Sequence, residues 1–301
     1  MTANIEASRI RSLLPGQRSR IWIMEAESGK THIHSEYPNQ LVEAPNWTSN
    51  GQGLLVNHAG ALFHVDLTAE KPSLTPVQFR GELPRINNDH VLSGDRQAMY
   101  MTAFDGQVYR GDLGTGALRQ MTTGKRWRYM HGVRLKDDAL TYVVKDPGQD
   151  HSLLAWSLDG KEDQIIQTGS DHNDGPEWSL DGKTIYFNSE SFTEEAGHSQ
   201  IARIDLNNNQ IERLTISAGV DWFPHLSPNG KHAVFLRFPA GTLGHPPNLD
   251  VEIHVVDVKD WNKPLHVFPL FGGQGTINVN SWSPDGKWFA FVDYPVDGFS
   301  N

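Results

Sequence analysis

The chain has 301 residues, no cysteine, and a formal charge of −10 with a pI near 5.7. The missing cysteine excludes disulfides and thiolate chemistry, the acidic balance argues against nucleic acid as the main partner, and no apolar run is long enough to span a bilayer. With 28 Gly, 17 Pro and 9 Trp, the composition suits a turn-rich, strand-rich chain, and all-β folds often use such a length as one domain.

In chain order, the first stretch, MTANIEASRIRSLLPGQRSR, lacks the apolar h-region of a signal peptide. As written this predicts a cytoplasmic protein; a trimmed or misassigned start would make it periplasmic. Arg9 and Arg11, followed by Arg18 and Arg20, make the start locally basic. Residues 1–17 read as a flexible, solvated arm, whose deletion is expected to leave thermal stability unchanged; a docking peptide for an acidic partner is the sharper reading.

From there a unit recurs. Its inner hairpin reads APNWTSNGQGLLVN from Ala44, DHVLSGDRQAMYMT from Asp89, GVRLKDDALTYVV from Gly132, GPEWSLDGKTIYFN from Gly175, FPHLSPNGKHAVFL from Phe223 and VNSWSPDGKWFAFV from Val279. Aligned on the turn, the copies fall at Gly51, Asp95, Asp138, Gly182, Gly230 and Gly286, spaced by 44, 43, 44, 48 and 56 residues. In Ser-Pro-Asp-Gly, Pro presets φ, Asp can accept from nearby backbone N–H groups and Gly takes the positive φ that starts the next strand. Two apolar runs flanking such a turn predict a β-hairpin.

An outer hairpin follows each of the first five copies, as in LFHVDLTAEKPSLTPV from Leu62, VYRGDLGTGALRQMTT from Val108 and IARIDLNNNQIERLT from Ile201. Asp66, Asp112, Ser157, Asp205 and Asp257 hold its equivalent position, where an Asx-type turn would use them. The sixth inner hairpin has no outer one after it. RIWIMEAESGKTHIH from Arg20 fits that pattern, with Glu25 at the Asp position. Four strands in roughly 45 residues is the length of one propeller blade. The sequence therefore predicts an all-β, six-bladed β-propeller over residues 18–301, in which the N-terminal hairpin completes the last blade.

The WSPDGK-type hairpin followed by an I-x-x-x-D-L hairpin resembles the repeats of the TolB family, found in the periplasmic TolB protein and in the propeller domains of prolyl-peptidase-type enzymes. The resemblance runs from Arg18 to about Val296 and implies a WD40-like propeller fold. No segment matches the α/β domain that precedes the propeller in TolB, so a stand-alone propeller is expected. No G-x-S-x-G pentapeptide is present, which excludes prolyl-peptidase chemistry.

In four-stranded blades the hairpin turns share one face and the connections between hairpins share the other. The second face carries the long segments NSESFTEEAGHSQ from Asn188, RFPAGTLGHPPNLD from Arg237 and LFGGQGTINVN from Leu270, and length beyond a turn is where function concentrates. The inner strands begin on this face with Glu43 and Asn46; Asn87, Asp89 and His90; Arg128, Tyr129 and His131; His172, Asp174 and Glu177; Asp221, Trp222 and His225; Thr276, Asn278 and Asn280.

Three readings fit this ring. Its polar groups line a wet channel and bond to neighbouring blades. Or they form a ligand site, with Trp222 and Tyr129 as stacking surfaces, Asn278, Asp174 and Arg128 setting orientation, and Gln274 on a glycine-rich loop. Or His172, Asp174 and His225, with His131, hold a divalent metal, as in sugar-acid lyases built on propellers. In the GHPPNLD loop, His245 together with Arg237 could close over the mouth. The expected function is a non-catalytic binding or scaffold propeller without a cofactor, holding a protein partner or small ligand at the channel mouth. A metal-dependent lyase or hydrolase of a sugar-derived substrate is the rival.

Overall fold

A computed structural model describes residues 11–296, among which there is no helix. Five sheets have four strands each in sequential order, and a sixth has three, in which the N-terminal hairpin pairs with the last strand; all strand pairs are antiparallel. Blade 1 comprises Glu43–Trp47, Gly53–His58, Ala61–Asp66 and Thr75–Pro76; blade 4, for comparison, comprises Asn173–Trp178, Thr184–Ser189, Gln200–Asp205 and Gln210–Arg213. The predicted six-bladed propeller is the observed fold.

The turn chemistry operates as the motif requires. In the last inner hairpin Asp285 Oδ1 accepts from Ser283 Oγ at 2.7 Å and from Lys287 N at 3.1 Å, Ser283 Oγ accepts from Trp288 N at 3.0 Å, and Gly286 has φ 66°. Asp66, Asp112, Asp205 and Asp257 each accept from a backbone N–H two or three residues on, at 2.7–2.9 Å. They are turn formers, as read. In blade 2 the left-handed residue of the turn is Arg96 (φ 56°), one position beyond the predicted Asp95.

Closure is made by the strand Arg18–Glu25, which pairs with Trp288–Asp293 from Arg20↔Asp293 to Glu25↔Trp288. Arg20 grips Asp293 with two hydrogen bonds of 2.9 and 2.5 Å, and Ser19 Oγ accepts from Val42 N on the way to blade 1. Ile21, Ile23, Ala290 and Val292 then pack against Trp47, Leu54, Val56 and Val65, so the ring is sealed by an ordinary interblade core. The innermost strand of blade 6 is reduced to a bridge, Trp282↔Phe289. There Asn280 Oδ1 bonds Trp282 N at 3.1 Å, and this local bond competes with a regular ladder.

Within the described part of the arm Ser12, Leu14, Pro15 and Gly16 are exposed, but Arg11 and Gln17 are anchored on the propeller; residues 1–10 lie outside the described residues. The Arg11 guanidinium lies 3.9 Å from the Tyr294 ring centroid, 3.4 Å from Glu43 Oε1 and 3.3 Å from Asn248 Oδ1, and it donates to Gln274 O. Gln17 is buried and donates to Asn248 Oδ1 and Tyr294 O, each at 2.8 Å. Deleting residues 1–17 is therefore expected to lower the melting temperature by roughly 4–8 °C, since two buried polar anchors are worth about 2–3 kcal/mol together. An unchanged melt would mean that these contacts contribute nothing.

Candidate functional site

Three inner strands carry the same irregularity. Pairing register shifts between Glu43 and Asn46, between Asp174 and Glu177, and between Trp222 and His225. Within each shift one residue has a left-handed backbone (Ala44 at 51°, Gly175 at 57°, Phe223 at 58°) and the next is proline. A bulge breaks the two-residue alternation of a strand, so both flanking residues can reach the channel, at two depths.

The deeper level is a polar belt. Glu177 Oε1 accepts from Leu226 N at 2.8 Å and Asn280 Nδ2 at 2.9 Å, while Glu177 Oε2 lies 2.8 Å from His225 Nδ1. His225 Nε2 lies 2.8 Å from Ile277 O, Asn46 donates to Asn280 O at 2.9 Å, and His90 Nδ1 meets Asn46 Oδ1 at 2.6 Å. Burial pushes His90 down to about 3, so it is a neutral ring. Apart from His90 Nε2, which is buried without a partner, these groups satisfy one another, which is how buried polar side chains stabilise a core.

The shallower level is an open funnel around Gln274. Gln274 Oε1 accepts from Asn278 Nδ2 at 3.0 Å and from His245 Nδ1, and its Nε2 donates to Asn88 Oδ1 at 3.1 Å. It thus ties three blades across the axis. A Cβ at Gly273 (φ 108°) would fall 2.1 Å from Pro246 O, and one at Gly275 (φ 89°) 2.5 Å from Glu43 Oε1. The glycines flanking Gln274 therefore serve a tight loop. Three cavities of about 500, 230 and 270 Å³ share Gln274 as a wall. The first includes His172, Trp222 and His245, the second Asp89, His131 and Asn278, the third Arg11 and Glu43; Tyr129 borders the last two.

Electrostatics divide the funnel. Burial works against charge on both Asp174 and His131, but their 2.9 Å contact outweighs it, leaving Asp174 at about 2 and His131 above its ordinary value. Asp89 is raised, by burial first and by Asp174. His245 reaches Asp174 Oδ2 at 3.7 Å and sits edge-on to Trp222 at 4.6 Å. Burial lifts the Glu43 carboxyl from its ordinary 4.5 to about 7, against the pull of Arg11 and Asn88. The folded state then keeps a proton that the unfolded chain releases, so Glu43 costs stability progressively as pH rises from about 4.5 to about 7. Glu43→Gln should gain on the wild type over that interval, by about 3 kcal/mol once ionisation is complete. Urea denaturation at a series of pH values measures it; a pH-independent difference would show that Glu43 titrates normally.

Of the residues singled out in the sequence, Tyr129, His131, His172, Asp174, Trp222, Gln274 and Asn278 border the funnel. Glu177 and His225 belong to the belt beneath it. Arg128 does not border it: it is buried and forked onto Asp163 at 2.9 and 3.0 Å. Asp221 and Arg237 pair with each other at 2.6 and 3.0 Å, so His245 covers the mouth without Arg237. For a metal, His172 is exposed while both His225 ring nitrogens face protein oxygens. Among the described residues no group of three or more His, Cys, Asp or Glu is arranged to hold a metal ion. Sequence reasoning did not single out Lys145, which lines the funnel, and it read Arg11 as part of the arm, although the tertiary structure brings it to the mouth.

A closed ring of six antiparallel blades with a polar funnel at one mouth defines the class: a six-bladed β-propeller. A solved structure from Agrobacterium tumefaciens that carries the TolB name is 35% identical, with a TM-score of 0.82 over 93% of this chain and 99% of that one. An uncharacterized protein of Agrobacterium fabrum is 36% identical over 286 residues, 93% of this chain and 94% of that protein. The chain belongs to this family of TolB-like propellers. TolB from Acinetobacter baumannii (16% identity, TM-score 0.60, 90% of this chain and 68% of that one) shares the fold. So does an oligogalacturonate lyase in complex with manganese (15%, 0.53, 92% and 78%). No family model matches the chain.

Proposed function

We propose that this chain is a non-catalytic binding propeller that holds a basic segment of a protein partner in the funnel around Gln274. The observation that carries this reading is Arg11. The chain's own guanidinium already lies in the mouth, stacked on Tyr294 and 3.4 Å from the Glu43 carboxyl, whose burial lifts it to about 7. Cation–π contact plus a buried carboxyl acceptor is a recognition mode for arginine. Asp174 and Asp89 extend acidic character across the adjacent cavity, and Tyr129 and Trp222 offer flat walls. The TolB name of a close relative is in keeping with protein binding.

A photo-crosslinking residue at Tyr129 tests the reading, with one at Leu158, 58% exposed on an outer hairpin, as control. A discrete adduct from position 129 that disappears on adding an arginine-rich peptide supports it. Equal adducts from both positions, or an arginine-insensitive one, would refute it. Elemental analysis of the same preparation addresses the metal-dependent lyase or hydrolase: stoichiometric manganese with a chelator-sensitive melt would replace the binding reading.

A further inference from the structure

The opposite mouth of the channel, where the Ser-Pro-Asp-Gly-type turns converge, holds a further cavity of about 120 Å³, which shares His131 with the wall of the funnel. Trp47, Trp178 and Trp282, the tryptophans of three inner hairpins, are among its walls, and the polar belt of Asn46, Glu177 and Asn280 borders it. Leu135 and Leu180, 57% and 43% exposed, are apolar side chains on the turns at its edge. For scale, a dry cavity of about 150 Å³ accepts benzene, so this one suits a single branched aliphatic side chain.

Arg96 also lines this cavity. Its guanidinium donates to Trp47 O at 3.4 Å, and no carboxylate is paired with it among the described residues. The acidic groups nearest in the chain are otherwise engaged. Asp95 accepts from Ser93 Oγ and Gln97 N, at 2.6 and 3.0 Å; Asp138 accepts from Gly94 N and Tyr100 Oη, at 2.8 and 3.2 Å. Burial lowers the pKa of Arg96 with no neighbouring charge to offset it. Its backbone adds a second, independent sign. Arg96 occupies the left-handed position that Gly51, Gly182, Gly230 and Gly286 hold in four sister turns. A large side chain kept in a conformation that suits glycine, and a half-buried cation without a counter-ion, both work against stability and persist where a site needs them.

We propose that this cavity binds an apolar carboxylate: the Arg96 guanidinium pairs with the carboxylate while the tryptophan walls enclose a leucine-sized group. The shared chemistry could come from the C-terminal residue of a peptide chain or from a free branched-chain acid. This site lies at the other mouth from the funnel, so the two readings stand or fall separately.

Isothermal titration of the full chain tests it with three probes: acetyl-Gly-Gly-Leu as the free acid, the same peptide as its amide, and 4-methylpentanoate. The free-acid peptide is expected to bind one site per chain, and the amide at least tenfold more weakly. Arg96→Gly should melt no lower than the wild type, because the turn regains its glycine, yet lose the free acid at least tenfold. Leu135→Asp, at an exposed position, should also fold normally and weaken binding through repulsion. If 4-methylpentanoate matches the peptide, the source is a free acid; if only the peptide binds, it is a chain terminus. Equal binding of acid and amide, full affinity in Arg96→Gly, or no binding of any probe at millimolar concentration would overturn the proposal.

Discussion

Deleting residues 1–30 is expected to abolish cooperative unfolding. The segment supplies the strand Arg18–Glu25, which is the only described partner for the outer edge of Trp288–Asp293. Its loss removes Ile21, Ile23 and Met24 from two interblade cores. Each buried aliphatic side chain is worth about 1.5–3 kcal/mol. It also leaves the buried Asp293 without Arg20 and exposes the unpaired edge of an apolar strand, an aggregation hazard. Against a total stability of about 5–15 kcal/mol, that sum leaves little or nothing. Circular dichroism during urea titration is the measurement. A sharp single transition in the truncated chain would show that the ring does not need its closing strand.

Glu177→Ala should be the most damaging single substitution in the belt, at about 3–5 kcal/mol, the usual cost of removing one partner from a buried polar cluster. Three donors converge on this carboxylate from two other blades: His225, Leu226 N and Asn280. Alanine leaves all of them facing a void. Both ring nitrogens of His225 face oxygens, Glu177 Oε2 and Ile277 O, each at 2.8 Å. Glu177→Gln keeps the volume of the side chain, and its amide oxygen can still accept from Leu226 N and Asn280. It should cost less than about 1.5 kcal/mol. Equal losses in the two variants would mean that the contribution of Glu177 is packing and not hydrogen bonding. Chemical denaturation, with constant slope, distinguishes the outcomes.

The repeat was legible because turn chemistry is local. Ser283, Asp285 and Gly286 satisfy one another within six residues, so their pattern states the hairpin wherever it occurs. The sharing of the last blade between the two ends followed from a simple mismatch, six inner hairpins and five outer ones after them. The interior of the channel was legible in composition and not in arrangement. Counting in twos along a strand puts His172 beside Asp174, yet the bulge at Gly175 pairs Asp174 with Glu177 as the residues that reach inward, and His172 stays exposed at the rim. Proline after Ala44, Gly175 and Phe223 was the one available signal for that bulge.

Arg128, Asp221 and Arg237 show the complementary limit. As polar residues at the start of inner strands they resembled site groups, but Asp163 and the Asp221–Arg237 pairing consume them. Those partners lie 35 and 16 residues away in the chain, and nothing local announces them. Arg11 runs the other way: it read as arm, and it lies in the mouth because Tyr294, Glu43 and Asn248 happen to converge there. By itself, then, the sequence determined the number of blades, their hairpins and the identity of the closing strand, since each depends on contacts within a turn or on a count. Only the tertiary structure decided which polar residues are spent on holding blades together and which face open space, because that depends on partners brought close by ring closure.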